Sequence, residues 1–254
     1  MSNLQIFIIA YDRIYNKVVD QLTASELESI TCYGVQKRVP KAITPLIRTR
    51  VNEWELPWND YGFQTRQYYE YSSMVHLYKN LNLIEKLSHI GILHYDVIFN
   101  VNSVNEIRQV IEVNPNTIFY QKIRSREQLS LHKHEVDSLC ALMGKRMGIT
   151  IDSDLAWNNG WISEVLSITP KAILCKFAKF LHDHGEEIEY ILRHNVGGIM
   201  NHCPHRICGI VERLWGFYLM SCNLPLKQMN VIHDWDSYQH KHMSMNGTGI
   251  ATIN

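Results

Sequence analysis

The run LQIFIIAY, residues 4–11, limits the fold more than any other stretch of the chain. It is short, apolar and rich in β-branched side chains, without the polar alternation of a strand that faces water on one side. Such a run is expected as a strand buried on both faces, and a strand of that kind sits in a mostly parallel sheet covered by helices on both sides. The next segments fit this architecture. VVDQLTASELESI (18–30) is expected as a helix and TCYGVQKRV (31–39) as the following strand, a βαβ opening. QTRQYYEYSSMVHLYKNL (64–81) carries apolar or aromatic residues at 67/68, 71, 74/75, 78 and 81, a helical spacing. A strand at IGILHYDVIF (90–99), a helix over 104–112 and a strand at TIFYQKI (117–123) repeat the alternation.

Other segments read differently. The Pro- and Trp-containing stretch 40–62 has neither a helical nor a strand period and is expected as a long ordered loop. From about Arg126 the pattern turns mostly helical, through EQLSLHKHEVDSLCALMGKRMG, TPKAILCKFAKFLHDHGEEIEYILRHN with Pro170 in a first-turn position, and PHRICGIVERLWGFYLMSC. The polar, His-rich tail after Lys227 is expected as a loop or arm. No internal repeat or low-complexity linker divides the 254 residues, so one domain is expected over 1–254.

Composition excludes some partners. Lys and Arg together number 25, as do Asp and Glu, and this balance disfavours a nucleic-acid phosphate backbone. The six cysteines are scattered without a C-x-x-C pair, as expected of reduced thiols. The start MSNLQIFIIAYDR lacks a basic n-region, and no run of about 18 apolar residues occurs. A location in the cytoplasm, free or peripheral at a membrane, is expected, with the NGT triplet at Asn246 a chance sequon.

In open α/β sheets ligands gather beyond the carboxyl ends of the strands. Two such ends matter: Tyr11, Asp12 and Arg13 after the first strand, and His94, Tyr95 and Asp96 in the later one. Asp96 interrupts an apolar run, and a carboxylate at that depth is costly unless paired. It reads either as a strand-end carboxylate hydrogen-bonded to backbone or arginine, or as an oxygen ligand for Mg²⁺ or Mn²⁺ bridging a diphosphate. Asp152 and Asp154 could face one cation, but DSD is also a natural turn or helix-cap sequence. Arg48 and Arg50 could clamp phosphates from an extended segment or form a solvated pair.

In HRICGIVERLWGFYLM (205–220), Ile207, Ile210/Val211, Leu214 and Phe217/Tyr218 form a core stripe, while His205, Gly209, Glu212 and Gly216 lie on a neighbouring one. Glycine within a helix costs about 0.5–1 kcal/mol relative to alanine, so close approach is expected there, by another backbone or by a ligand that Glu212 reaches. Arg213 could pair with a phosphate or with a surface carboxylate. Among the thirteen histidines, NHCPHRIC matches no standard zinc spacing. His233, His240 and His242 in the tail could help to hold a metal or a diphosphate.

Taken in order, YYEYSSMVHLYKNL, IGILHYDVIFN, AILCKFAKFLHDHGEEIEYILRHN and HRICGIVERLWGFYL resemble a family of bacterial capsular-polysaccharide and giant-virus glycosyltransferases of GT-A type. The resemblance covers roughly residues 64–100 and 170–220 with the opening strand, and its late-helix motif falls on Arg206, Gly209, Glu212, Arg213 and Leu214. It implies a GT-A-like α/β fold with a Rossmann-like, mostly parallel central sheet and a helix-rich C-terminal half. About 1–125 would bind the nucleotide sugar and about 126–254 would shape the acceptor side. It further implies a hexosyltransferase moving a sugar from a UDP-, GDP- or TDP-linked donor to a glycan or lipid-linked acceptor, in surface-polysaccharide or glycoprotein-glycan synthesis.

Carried onto this sequence, Ala10, Tyr11 and Asp12 would lie by the base and ribose, with His94, Tyr95 and Arg213 also on the donor. Asp96 would hold the diphosphate through Mn²⁺ or Mg²⁺, helped by His233, and Arg48 or Arg50 would steady the leaving phosphate. Glu212 would be the base or a sugar-positioning group. HYD stands where many members have HYRR, and the usual D-x-D is absent. The alternatives are a non-catalytic nucleotide- or glycan-binding module of the same fold and a His-rich metallohydrolase.

Overall fold

The computed structural model describes residues 3–11, 13–35, 42–60, 70–124, 133–162, 166–195, 205–233, 243–246 and 250–253. Its strands are β1 (Leu4–Ala10), β2 (Ile30–Gly34), β3 (Thr49–Asn52), β4 (His89–His94), β5 (Val97–Phe99), β6 (Ile118–Tyr120), β7 (Ser167–Pro170), β8 (Leu226–Gln228) and β9 (Val231–His233), besides two-residue bridges and a hairpin over Met243–Ile253. Seven of them form one sheet in the order β8-β6-β7-β4-β1-β2-β3. β1 runs parallel to β2 and β4, β2 to β3, and β6 to β8, while β7 is antiparallel to both of its neighbours. The helices are α1 (Ala24–Leu27), α2 (Glu70–Lys79), α3 (Ser103–Val113), α4 (Lys133–Met147), α5 (Ser153–Asn159), α6 (Lys171–Asp183), α7 (Gly185–Asn195) and α8 (His205–Ser221).

Alternation along β1 explains the two layers. Phe7 and Ile9 point, with Ile90 and Ile92, into a core built with Tyr71, Met74 and Val75 of α2, Leu139 of α4, Phe177 of α6 and Leu214 of α8. Leu4, Ile6, Ile8 and Ala10 point the other way, to Leu93, Val97 and the Val104, Ile107 and Ile111 stripe of α3. Burying each such side chain stabilises by about 1.5–3 kcal/mol, so a central strand buried on both faces is favoured. A Cβ on Gly91 would meet Ile168 Cγ1 at 2.8 Å and Ile6 Cγ1 at 3.1 Å, so only glycine fits between β1 and β7. No helix among the described residues is long and apolar enough to cross a membrane.

The elements differ from expectation where strands are short. The expected helix over 18–30 is reduced to α1, because Thr23 and Glu26 form a capping box that starts the helix only at Ala24. The expected loop 40–62 contains β3, an edge strand with Thr49 and Arg50 exposed, whose half-wet pattern hides its period. The run 90–99 is split into β4 and β5 by a turn at Tyr95–Asp96. The helix-rich half supplies β7, whose last residue, Pro170, stands at the N-cap of α6. The tail expected as an arm contributes β8 to the sheet edge and β9 to β5.

Candidate functional site

Parallel pairing sets Ile9 of β1 beside His94 of β4, so the carboxyl ends of the two strands lie side by side. Beyond His94 the chain turns through Tyr95 and Asp96 and returns as β5. β5 pairs antiparallel with β9, which sets His233 opposite Val97 and brings an imidazole from the tail to the turn. His233 Nε2 and Asp96 Oδ2 are hydrogen-bonded at 3.0 Å, and His94 Nδ1 lies 4.0 Å from Asp96 Oδ1. The ring centroids of His94 and His233 are 6.4 Å apart. One donor atom from each of His94, Asp96 and His233 falls within 4.8 Å of the others.

Asp96 is fully buried. Its Oδ2 is engaged by His233, while its Oδ1 has no hydrogen-bond partner among the described residues. Neither lysine nor arginine pairs with it among those residues, so the expected alternative of an arginine partner does not appear. A buried carboxylate oxygen without a donor costs free energy, and a cation would satisfy it. The donor set, two imidazole nitrogens and one carboxylate, is suited to a divalent transition ion.

A second carboxylate stands beside this cluster. Glu70, in the first turn of α2, accepts a hydrogen bond from Tyr11 Oη at 2.6 Å, and its Oε1 lies 3.6 Å from His94 Nε2. The rings of Tyr11 and Tyr95 meet edge to face at 6.3 Å. Burial raises the Tyr95 phenol, and the charges of Asp96 and Glu70 push it further the same way, so it stays protonated.

The remaining candidates are spread through the fold. Ala10 ends β1 and is buried; Asp12, His202, Cys203, His240 and His242 lie outside the described residues. Arg48 and Arg50 are exposed on and before β3, three strands from β4, and Arg50 faces the Cys32 thiol. Burial pushes that thiol up to about 11 against the pull of the guanidinium. The Asp152 carbonyl accepts from the Ala156 N–H at the start of α5, and Asp154 pairs with Lys133 at 3.5 Å.

Glu212 is half-buried on α8. A Cβ on Gly216 would run into the Ile162 carbonyl oxygen and lie 2.8 Å from Trp161 Cδ1, so backbone is what approaches this helix there. Arg213 donates from Nη1 to the Gly209 carbonyl at 2.6 Å and lies over the Trp161 ring at 5.5 Å. The guanidinium therefore braces α8 against the Trp161–Ile162 segment.

Sequence reasoning missed Glu70 and treated His94 as a donor contact rather than a member of the cluster. The H-x-D spacing across a strand-ending turn was the available signal for His94. An acidic residue in the first turn of a helix is too common to single out Glu70.

No protein-family model matches the chain, and no curated protein sequence matches it. Among solved structures it is similar to the apo structure of WbbM, described as a bifunctional glycosyltransferase, with a TM-score of 0.61 and 13% identity over 91% of this chain and 45% of WbbM. The chain thus spans less than half the length of that protein. Core-mannan synthase A (CmsA/Ktr4) from Aspergillus fumigatus, in its Mn/GDP form, aligns over 92% of this chain and 75% of that one at 13% identity, with a TM-score of 0.33. The likeness to WbbM establishes the fold, a mostly parallel GT-A-like sheet flanked by helices, as expected from the sequence.

Proposed function

We propose that the protein is a glycosyltransferase that moves a sugar from a nucleoside-diphosphate sugar to a glycan or lipid-linked acceptor. The observation that carries this reading is the meeting of His94, Asp96 and His233 at the carboxyl ends of β1 and β4. Ligands of such sheets gather at that end, and the fold is shared with a bifunctional glycosyltransferase. The resemblance of the late-helix residues Arg206, Gly209, Glu212, Arg213 and Leu214 to the capsular-polysaccharide family points the same way.

His94, Asp96 and His233 would hold the cation, with Asp96 Oδ1 its buried anionic ligand. When bound, the cation supplies electrostatic stabilisation of the charge that grows on the departing diphosphate. Two imidazole nitrogens favour Mn²⁺ over Mg²⁺, which prefers oxygen ligands and sheds water reluctantly. Tyr95, kept protonated, offers a neutral hydrogen-bond donor rather than a competing negative charge. Ala10, at the end of β1, and Tyr11, the next residue, would lie on the nucleoside side, with Asp12 following them in the chain. Arg48 and Arg50 stand three strands from β4, so the diphosphate is assigned to the cation rather than to either guanidinium. Glu212 is assigned the acceptor hydroxyl, as base or sugar-positioning group.

Two imidazoles and a carboxylate are also the donor set of non-haem iron sites, a reading that needs no nucleotide. Turnover separates the two. UDP-, GDP- and TDP-sugars are incubated with the protein and Mn²⁺, Mg²⁺ or chelator, and release of the nucleoside diphosphate is followed. At least one donor is expected to turn over with Mn²⁺, more slowly with Mg²⁺, and not with chelator. Absence of binding and turnover across the panel removes the transferase reading.

A further inference from the structure

The two nitrogens of His94 face two different carboxylates. Nδ1 is turned to Asp96 Oδ1, at 4.0 Å, and Nε2 to Glu70 Oε1, at 3.6 Å. Nε2 is buried and has no hydrogen bond of normal length among the described residues. Glu70 is itself fixed, because its Oε1 accepts the Tyr11 hydroxyl at 2.6 Å. Three elements therefore converge behind the ring: the end of β1 through Tyr11, the start of α2 through Glu70, and the end of β4 through His94 itself.

A neutral imidazole has one N–H and one lone pair, and which nitrogen keeps the proton depends on the acceptor nearby. Asp96 Oδ1 lies on the Nδ1 side, so a cation shared with it needs the lone pair on Nδ1 and the proton on Nε2. Glu70 is the acceptor on the Nε2 side. We propose that Glu70 is a positioning residue: held by Tyr11, it fixes His94 as the Nε2–H tautomer and so presents Nδ1 to a divalent cation bound by Asp96 and His233. A carboxylate that accepts the other ring N–H of a metal-binding histidine orients the ring and raises its basicity, and its loss lowers metal affinity by about 10–100-fold. Glu70 Oε1, 3.6 Å from Nε2, has to close in by about half an ångström to do so. The inference rests on the cation reading proposed above.

The test uses the full chain without nucleotide. Mn²⁺ affinity is measured by titration calorimetry for the unaltered protein and for Glu70→Gln, Glu70→Ala, Tyr11→Phe and Asp96→Asn. The tautomer of His94 is read separately from imidazole ¹⁵N shifts, assigned by comparison with His94→Gln. Asp96→Asn is expected to lose Mn²⁺ binding, Glu70→Ala to weaken it by about 10–100-fold, and Glu70→Gln and Tyr11→Phe to weaken it less. The ¹⁵N shifts are expected to show Nε2–H in the unaltered protein and a mixture in Glu70→Ala. A purely structural carboxylate would leave the tautomer unchanged. Mn²⁺ affinity and tautomer both indifferent to Glu70 would overturn the positioning role alone. Failure of the unaltered protein to bind Mn²⁺ would overturn the cation reading, while the ¹⁵N shifts would still decide whether Glu70 holds His94.

Discussion

His233 Nε2 stands 3.0 Å from Asp96 Oδ2, although 137 positions of sequence separate the two residues. The antiparallel pairing of β9 with β5 brings them together, and without it Asp96 would be a buried carboxylate with neither oxygen engaged. Replacing the imidazole by alanine leaves Oδ2 without its donor, a loss of about 1–3 kcal/mol. His233→Ala is therefore expected to lower stability by that amount in denaturant titration and also to weaken Mn²⁺ binding. Unchanged stability would show that water serves Oδ2 as well as His233 does.

His89, at the start of β4, is almost fully buried, and burial pushes its imidazole down to about 4. An unfolded chain protonates histidine near 6.5, so between these values the unfolded state binds more protons and the native state loses ground as pH falls. Stability is expected to drop from about pH 6.5 to about pH 4, by roughly 3 kcal/mol from this residue, and to level off below. Denaturant titrations at several pH values compare the protein with His89→Gln, whose decline over that window should be shallower. Equal slopes would show that other groups govern the acid limb.

Behind α2 lies a buried polar network, in which His76 Nδ1 bonds the Ser72 carbonyl at 2.8 Å. His76 Nδ1 is 2.9 Å from Glu53 Oε1, both side chains fully buried, and the Ser72 hydroxyl donates to the same oxygen at 2.9 Å. The network ties the residue after β3 to the helix that carries Glu70. Removing a buried acceptor and leaving its donors unsatisfied typically costs about 1–3 kcal/mol. Glu53→Ala is expected to lose that much in equilibrium unfolding. A loss below about 1 kcal/mol, the range of an exposed pair, would contradict the pairing.

Gly216 is packed against the Ile162 backbone rather than against an open site. Gly216→Ala is therefore expected to destabilise by about 1–3 kcal/mol through overpacking, with donor affinity unchanged once the protein is folded. Weaker donor binding at unaltered stability would return a ligand to this helix face.

The long apolar strands and the core stripe of α8 were legible because their periods are dictated by burial on known faces. β1 and β4 needed no partner to be recognised. The strands β7, β8 and β9 have three or four residues each, and what makes them strands is pairing with distant segments, which no local pattern records. The candidate site divides in the same way. Asp96 stood out as a carboxylate in an apolar run, and His233 as one of several tail histidines, but the β5–β9 pairing that joins them is tertiary. Glu70 was illegible for the same reason, since the Tyr11 hydroxyl it accepts lies 59 positions away. The glycines of α8 announced a close approach without saying by what, and Ile162 is supplied by another part of the chain.

The most direct measurement is calorimetric titration of UDP, GDP and TDP into the full chain, with and without Mn²⁺, repeated on Asp96→Asn. The expected result is that at least one nucleoside diphosphate binds only with Mn²⁺, and that Asp96→Asn, folded and with an unchanged far-UV spectrum, binds none. Nucleotide binding that ignores both Mn²⁺ and the loss of the Asp96 charge would contradict a cation held by His94, Asp96 and His233.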